Sequence, residues 1–246
     1  KAAYLIKKQS WIKPYDIIYL TGEAAFPAIG VGFQFDMYNA DIINVNTADY
    51  DNFLGLSDIA PVATNYAVFL DENLCSHPDL KLLNITPISS EDYHLELNAF
   101  FDKIESDFMI KIVIAAHPKA INYKVSNPFN NREIYFNQTN ELVSNSNFVI
   151  SHDSTSIGYA VLHKKPMLSI TSEKLKIALP RNHELILSFS KVLNTSLLYF
   201  DTQKASKKDI KIDIDKYNSY KYSFLTNKST EDELTKYIFF KSLKSI

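Results

Sequence analysis

The sequence predicts an α/β protein built on Rossmann-like parallel sheets with helices on both faces. Short apolar runs rich in Val and Ile alternate with longer amphipathic segments, which is the rhythm of β-α-β units. The runs at 66–70, 112–116 and 148–150 are apolar at every position, as expected of strands buried on both faces of a parallel sheet. Each run ends in a polar signature. Because ligands bind beyond the carboxyl ends of the strands in open α/β sheets, we predict a phosphate-binding crevice there.

Composition limits the class of protein and of partner. The chain has 246 residues, 46% of them hydrophobic and 22% charged, with a formal net charge of −2. This suits one large soluble domain or two small ones, and the near-neutral charge gives no reason to expect a nucleic acid partner. Because no apolar run approaches the roughly 18 residues of a membrane span and no signal peptide is recognisable, we expect a cytoplasmic protein.

Two scarce residue types bear on possible sites. The lone Cys75 excludes an internal disulfide and a multi-Cys zinc site, and we expect it to be an inert buried thiol. The basic residues are almost all Lys, so that only Arg132 and Arg181 can offer a planar guanidinium to a phosphate.

The first 65 residues hold too few strands for a complete Rossmann-like domain. We predict the end of an amphipathic helix over 1–13, strands over 15–20 and 40–46, and a turn-rich linker over 55–65. Residues 1–65 are therefore predicted to be a partial N-terminal Rossmann-like portion.

Residues 66–205 have the alternation of a nucleotide-binding Rossmann-like domain, and 206–246 form a C-terminal tail. The predicted strands are 66–70, 112–116, 133–136, 148–150 and 165–170, and the predicted helices are 91–104, 140–144, 157–162 and 184–192. The tail is expected to end in a helix that starts near Ser229 or Thr230 and buries four residues: Leu234, Tyr237, Ile238 and Leu243.

Two Asp-x-Asp patterns have the spacing that some sugar-nucleotide enzymes use for a divalent metal. They are Asp49-Tyr50-Asp51 and Asp213-Ile214-Asp215. Patterns of two residues often occur by chance, and the second lies in an alternating segment that predicts an exposed edge strand. We predict no metal site.

An acidic pair directly follows the strand at 66–70. Asp71-Glu72-Asn73 stands where an α/β enzyme would place a general base. The alternative is a turn in which these acids cap the next segment. A His-Pro pair, His77-Pro78, follows in the next loop, where such pairs are common.

Two further signatures predict a phosphate site. His117-Pro118 follows the strand at 112–116 and could donate a hydrogen bond or a proton to a phosphate. Three hydroxyl residues precede the predicted helix at 157–162, whose first N–H groups favour an anion: Ser154, Thr155 and Ser156. The alternatives are a loop histidine held by Pro118 and a plain helix cap.

Adjacent His152, Asp153 and Ser154 do not form a hydrolase triad, because neighbours on one turn lack the relay geometry and no Gly-x-Ser-x-Gly elbow is present. We expect His152 to shape this loop or to contact the ligand. His163 and His183 are expected on the surface.

The order Asp71-Glu72-Asn73, Ala116-His117-Pro118 and Ser154-Thr155-Ser156 resembles the motifs of the bacterial sialyltransferase-type glycosyltransferases, which include Kdo-transferase-like enzymes. These carry an acidic pair followed by Gly, a His-Pro motif and a Ser/Thr pair. The resemblance covers about residues 66–170, and Asn73 stands where the family has Gly.

The resemblance implies a GT-B fold with two Rossmann-like domains, and an inverting, metal-independent transferase that needs no cofactor and takes a CMP-activated acidic sugar such as sialic acid or Kdo. It implies Asp71 or Glu72 as the base, His117 as a ligand of the CMP phosphate, and Ser154, Thr155 and Ser156 as further phosphate ligands. Pro118 and His152 are further candidates for nucleotide or phosphate binding. A glycan or glycolipid of the cell surface, in capsule or lipopolysaccharide synthesis, would be the acceptor, which is compatible with peripheral association at the inner face of the membrane. The oligomeric state is left open.

Three alternatives stay open at this point. The His-Pro and Ser/Thr motifs are also similar to those of CDP-glycerol or CDP-ribitol phosphotransferases, although these are usually basic chains and the pI here is about 6.3. The epimerases that act on UDP-N-acetylglucosamine at C2 share the general fold. A non-catalytic domain that binds nucleotide sugars would not depend on Asp71 or Glu72.

Overall fold

Eight strands and nine α-helices make up the described part of the chain. The computed structural model describes residues 15–24, 40–56, 61–62 and 65–244. The strands are β1 Ile17–Thr21, β2 Asp41–Val45, β3 Tyr66–Leu70, β4 Lys111–Ala116, β5 Ile134–Phe136, β6 Val149–Ser151, β7 Met167–Thr171 and β8 Ser196–Tyr199. The predicted helix over 1–13 and part of the predicted linker lie outside the described residues.

The α-helices connect and flank these strands. They are α1 Ala48–Leu54, α2 Pro78–Leu82, α3 Ser90–Phe108, α4 Thr139–Asn145, α5 Ile157–Leu162, α6 Glu173–Ala178, α7 Pro180–Leu193, α8 Ile214–Tyr220 and α9 Thr235–Leu243. A short 3-10 helix spans Ile121–Lys124 and a π-helix spans Lys221–Leu225. None of the described helices combines the length and the apolar character that crossing a membrane requires.

The chain divides into two compact units. One consists of Lys1–Gly55 with Asn218–Ile246, and the other of Leu56–Tyr217. The domain boundaries proposed from the sequence, at residues 65 and 205, stay predictions; the changes between compact units lie at Gly55/Leu56 and Tyr217/Asn218.

The first unit joins the two ends of the chain around a parallel pair of strands, β1 and β2. Buried Asn46, just after β2, binds the C-terminal segment through both ends of its amide. Its Nδ2 donates to the carbonyls of Glu233 (2.7 Å) and Thr230 (3.2 Å), and its Oδ1 accepts from the hydroxyl of Thr226 (2.6 Å). Because a buried amide is costly unless it is bonded, these bonds fix the C-terminal segment in this unit.

The second unit contains a six-stranded sheet in the order β5-β4-β3-β6-β7-β8, with every neighbouring pair parallel. Renumbered within the unit, this is the doubly wound Rossmann order 3-2-1-4-5-6. The prediction of an α/β chain with Rossmann-like parallel sheets is therefore confirmed. The topological switch point lies between β3 and β6, where the chain goes outward in opposite directions.

The core of this unit packs α3 against the sheet. All five residues of β3 are buried, and Phe69 contacts Phe101 of α3 at 5.2 Å between ring centroids. Helix α3 begins at the cap Ser89, whose hydroxyl accepts from the N–H of Asp92, and it buries Leu97 and Ile104 on the same face. Each fully buried side chain of this kind contributes about 1.5–3 kcal/mol, so the aromatic stripe predicted from the sequence is core.

Several predicted elements differ from those observed. Residues 213–215 do not form an edge strand, because the carboxylate of Asp213 accepts from the N–H of Lys216 and begins α8. Helix α9 starts later than predicted because the Thr230 hydroxyl binds Asn46. Ile238 is buried as predicted, whereas Tyr237 and Leu243 are half exposed.

Two elements and one histidine were not anticipated. Helix α6 is capped by Ser172, whose hydroxyl accepts from the N–H of Leu175, and β8 is a short strand at the edge of the sheet. His183 is buried and shares a hydrogen bond of 2.9 Å with Thr171, so its predicted surface position is wrong.

Candidate functional site

The three sequence signatures follow three adjacent strands. Asp71 follows β3, His117 follows the neighbouring β4, and the loop from His152 to Ser156 follows β6 on the other side of β3. Because all three strands are parallel, their carboxyl ends meet at one edge of the sheet, beside the switch point. The structure therefore places the acidic, His-Pro and hydroxyl residues along one edge of the sheet, and the binding of a phosphate there stays a prediction.

Asp71 connects two of the loops. Its side chain is 3% exposed, and its carboxylate accepts from the N–H of His117 and from the hydroxyl of Tyr123, each at 3.4 Å. Burial raises the pKa of Asp71 to about 6, although the N–H groups of Asn73 and His117 favour its charged form. Asp71 thus positions the backbone at His117 and is largely shielded from an incoming substrate.

Glu72 is the more accessible acid of the pair. Its side chain is partly exposed and lines a cleft, and the side chain of Ser154 favours its charged form. Burial, together with the neighbouring charges of Asp153 and Asp71, raises the pKa of Glu72 to about 7. A carboxylate with a pKa near the working pH is suited to accept a proton as a general base.

Asn73 adopts a left-handed backbone conformation, with φ of 51°. Gly enters this region without steric cost, and Asn is among the few other residues that adopt it readily. The side chain is buried, and its Oδ1 accepts from the Tyr123 hydroxyl at 3.4 Å. Asn73 can therefore form the same sharp turn as the Gly that the resembling family has there.

His117 is held by its own loop. Its Nδ1 accepts from the N–H of Lys119 at 3.1 Å, and the intervening Pro118 is exposed and fixes the backbone. Burial lowers the pKa of His117, and the nearby His77 and Lys119 lower it further. The ring is therefore neutral at neutral pH and can donate from Nε2.

The three residues of the hydroxyl cluster lie in different environments. Ser154 is buried, and its hydroxyl accepts from the N–H of Ser156 at 3.2 Å, which shapes the turn before α5. Thr155 and Ser156 are at least partly exposed, and their side chains make no hydrogen bond to any residue that the structure describes. Ser154 thus shapes this turn, while Thr155 and Ser156 keep their hydroxyls available.

His152 is 1% exposed and both of its ring nitrogens are bonded. Its Nδ1 donates to the carbonyl of Ile170 (2.7 Å), which leaves Nε2 to accept from the hydroxyl of Tyr93 (2.8 Å). Burial lowers the pKa of His152 to about 4, so the ring is neutral. This geometry fits the expectation that His152 shapes the loop, and it gives no support to contact with a ligand.

A cleft of about 270 Å³ lies beside Glu72. Its polar lining consists of Glu72, His77, Asp79, Arg181 and Asn182. Arg181 also lines the cleft; it is exposed and makes no hydrogen bond or ion pair to the described residues. Asn182 donates to the carboxylate of Asp153 at 2.8 Å, which connects the start of α7 to the loop after β6.

The other arginine has a structural role. Arg132 is 8% exposed and binds three side chains of α3: Asn98 at 3.0 Å, Asp102 at 2.5 Å and Glu105 at 2.7 Å. It therefore fixes the loop before β5 to the helix and is not free to bind phosphate. Arg181 is the guanidinium at the cleft.

The residues considered for metal or thiol chemistry have other environments. Asp51 caps the C-terminal segment by accepting from the N–H of Thr235 at 3.0 Å. Across the described ranges, no cluster of three or more His, Cys, Asp or Glu could hold a metal ion. Cys75 is partly buried, and burial raises the pKa of its thiol to about 12, which fits an inert thiol.

Comparisons with known proteins give only distant structural similarities. The chain matches no protein-family model and no curated protein sequence. It is similar to the crystal structure of the glycosyltransferase SnogD from Streptomyces nogalater, at 9% identity and a TM-score of 0.49, over 98% of this chain and 76% of that one. It is also similar to UDP-GlcNAc 2-epimerase from Methanocaldococcus jannaschii, at 16% identity and a TM-score of 0.34, over 72% of this chain and 52% of that one. At these scores neither likeness carries an argument about function, and the fold assignment rests on the strand order.

Proposed function

We propose that this chain is a glycosyltransferase of the GT-B type that moves an acidic sugar from a CMP-activated donor to a glycan or glycolipid acceptor, with inversion and without a metal ion. The observation that carries the proposal is the meeting of the three signatures at one edge of the sheet, where the Asp71 carboxylate accepts from the N–H of His117 and the Ser154 side chain favours the charged form of Glu72. A proton acceptor, a phosphate donor group and free hydroxyls thus lie together at the switch point of a Rossmann-ordered sheet.

In the proposed reaction Glu72 removes the proton from an acceptor hydroxyl as that oxygen attacks the anomeric carbon of the donor. The bond between this carbon and the phosphate oxygen breaks, and CMP leaves with the electron pair. His117 donates its Nε2–H to the leaving phosphate and stabilises the charge that develops there. Thr155 and Ser156 supply further donors to the same phosphate. Attack opposite to the leaving group inverts the anomeric centre.

The roles of the acidic pair follow from burial. Asp71 is almost fully shielded and already accepts two hydrogen bonds, whereas Glu72 is partly exposed and lines the cleft. We therefore assign the base to Glu72 and a positioning role to Asp71. Arg181, at the mouth of the same cleft, is suited to the carboxylate of an acidic sugar. Pro118 contributes a fixed backbone beside the phosphate.

Nucleotide preference tests the proposal first. CMP, CDP and UDP are titrated calorimetrically into the full chain without metal, with His117→Ala as the comparison. We expect CMP to bind best, and His117→Ala to weaken it by about 1–3 kcal/mol, the scale of a hydrogen bond to a charged group. Preference for UDP would favour an epimerase-like enzyme and preference for CDP a phosphotransferase, and either result contradicts the proposal.

Catalysis is tested with the acidic pair. Glu72→Gln keeps the size of the side chain but cannot accept a proton, so CMP binding should persist while donor hydrolysis and transfer fall by about 10²–10⁴-fold. A non-catalytic nucleotide-sugar-binding domain would show no such loss. Unchanged turnover of CMP-sugars in Glu72→Gln would therefore refute the assignment of the base.

A further inference from the structure

The two His-Pro pairs of this chain lie on adjacent loops and are built alike. His77-Pro78 lies in the loop after β3, and His117-Pro118 follows the neighbouring β4. In each pair the imidazole Nδ1 accepts a hydrogen bond from the N–H two residues further on: from Asp79 at 3.2 Å and from Lys119 at 3.1 Å. The two histidines are thus oriented by the same local device.

The hydrogen bond to Nδ1 fixes which ring nitrogen carries the proton. A ring whose Nδ1 accepts a hydrogen bond must, when neutral, carry its proton on Nε2. Neither His77 nor His117 has a hydrogen-bond partner at Nε2 among the residues that the structure describes. The His77 side chain is 21% exposed and lines the cleft beside Glu72.

The two rings lie side by side. Their centroids are 4.9 Å apart and the ring planes make an angle of 71°. An ion pair of 3.2 Å between Lys119 and Asp79 joins the two loops and holds the rings together. Because His77 and Glu72 line the same cleft, the pair is next to the proposed base.

From this geometry we propose that His77 and His117 form a paired-imidazole site that donates two Nε2–H hydrogen bonds to the oxygens of one phosphate group, with His77 as a binding residue in its own right. This inference rests on the proposed function, in which the phosphate belongs to the nucleotide. Two Nε2–H donors on adjacent loops fix the orientation of a phosphate better than one does, since each binds a different oxygen. The ion pair between Lys119 and Asp79 connects the two loops that carry the donors.

The alternative is that His77 only caps α2, and two matched variants separate the readings. In His77→Asn the amide oxygen can accept from the N–H of Asp79 as Nδ1 does, because Asn is a good helix cap, but no donor reaches the place of Nε2. In His77→Gln the longer side chain can present an N–H donor near the place of Nε2 while the cap is lost. Calorimetric titration of CMP and of cytidine into both variants and the unchanged chain measures the phosphate contribution.

We expect CMP to bind about tenfold more weakly to His77→Asn, the effect of one lost hydrogen bond to a charged group. In His77→Gln the CMP affinity should stay within about threefold of the original, and cytidine affinity should be the same in all three proteins. The paired site would be overturned by any of three results: equal losses of CMP affinity in both variants, a loss restricted to His77→Gln, or no loss in His77→Asn. Thermal unfolding without ligand reports separately on the capping of α2.

Inorganic phosphate distinguishes a failure of the pair from a failure of the proposed function. Its titration is followed through the ring C–H signals of both histidines by NMR, beside the CMP titration. If phosphate shifts both rings while no nucleotide binds more tightly than phosphate, the pair stands and the proposed function falls. CMP binding that depends on His117 but not on His77 leaves the function standing and overturns the pair. If neither phosphate nor CMP affects either ring, both fall.

Discussion

Replacing Glu72 with Gln should make this protein more stable at alkaline pH while it removes the proposed base. Burial and two neighbouring carboxylates raise the pKa of Glu72 from its ordinary 4.5 to about 7. Folding therefore favours the protonated form. The free energy of unfolding has its full value below about pH 4.5, and it falls as the pH rises through about 7, because only the folded state then holds the proton.

The size of the effect follows from the same two values. At about 1.4 kcal/mol per pH unit, the gap between 4.5 and about 7 makes the ionised carboxylate cost about 3 kcal/mol at pH 8. At pH 5 the cost is about 1 kcal/mol, since most of the folded protein is still protonated there. Gln is neutral at every pH and close to Glu in size, so Glu72→Gln should recover these amounts.

Urea unfolding at both pH values measures the difference. Glu91→Gln is the matched control, because Glu91 is an exposed residue of α3 and its replacement should change stability by less than about 0.5 kcal/mol. A gain for Glu72→Gln that is the same at pH 5 and pH 8 would refute the argument, as would a loss of stability at pH 8. If Glu72→Gln raises the free energy of unfolding at pH 8 and abolishes transfer, Glu72 serves the reaction and lowers the stability of the fold.

Three further changes test the fold by urea unfolding. Gly22→Ala should cost about 2–4 kcal/mol, because Gly22 has φ of 67° and a Cβ there would collide with the carbonyl oxygen of Ser223. The control is Gly55→Ala, which should be nearly neutral because its Cβ would have no neighbour closer than 3.6 Å. Asn46→Ala should cost about 2–4 kcal/mol, because it leaves several buried partners without a hydrogen bond, and a loss below about 1 kcal/mol would show that water replaces the amide. Arg132→Met should cost about 2 kcal/mol, since the acids that it leaves behind are partly exposed; an unchanged midpoint would contradict its role as a structural clamp.

Much of the second unit could be predicted from the sequence because its strands are buried on both faces. Continuous apolar runs such as 66–70 leave little choice but a strand in a parallel sheet, and their polar endings then fall at one edge. Helix α5 was predicted with its observed bounds for a related reason, since a hydroxyl residue precedes a short apolar run.

What could not be predicted depends on contacts between distant residues. The sequence does not show that Asp71 and Glu72 differ in burial. Asp71 is buried because Tyr123 and the loop after β4 contact it, and both are distant from it in the chain. The place of the C-terminal segment depends on Asn46, whose partners are about 180 residues away in the chain. The burial of His183 likewise requires Thr171, on a strand that precedes its helix. Ser172 before Glu173 is a local signal that could have revealed α6.

The central position of β3 also has a consequence for biosynthesis. It is the first strand of its sheet to be translated, yet its partners β4 and β6 begin only at Lys111 and Val149. Until β6 has been made, one edge of a strand that is apolar along its whole length has no partner, and such an edge is a template for pairing with another chain. A nascent or proteolysed chain that stops before Val149 should therefore aggregate, and the strand that carries the acidic pair is also the one that most needs protection on the ribosome.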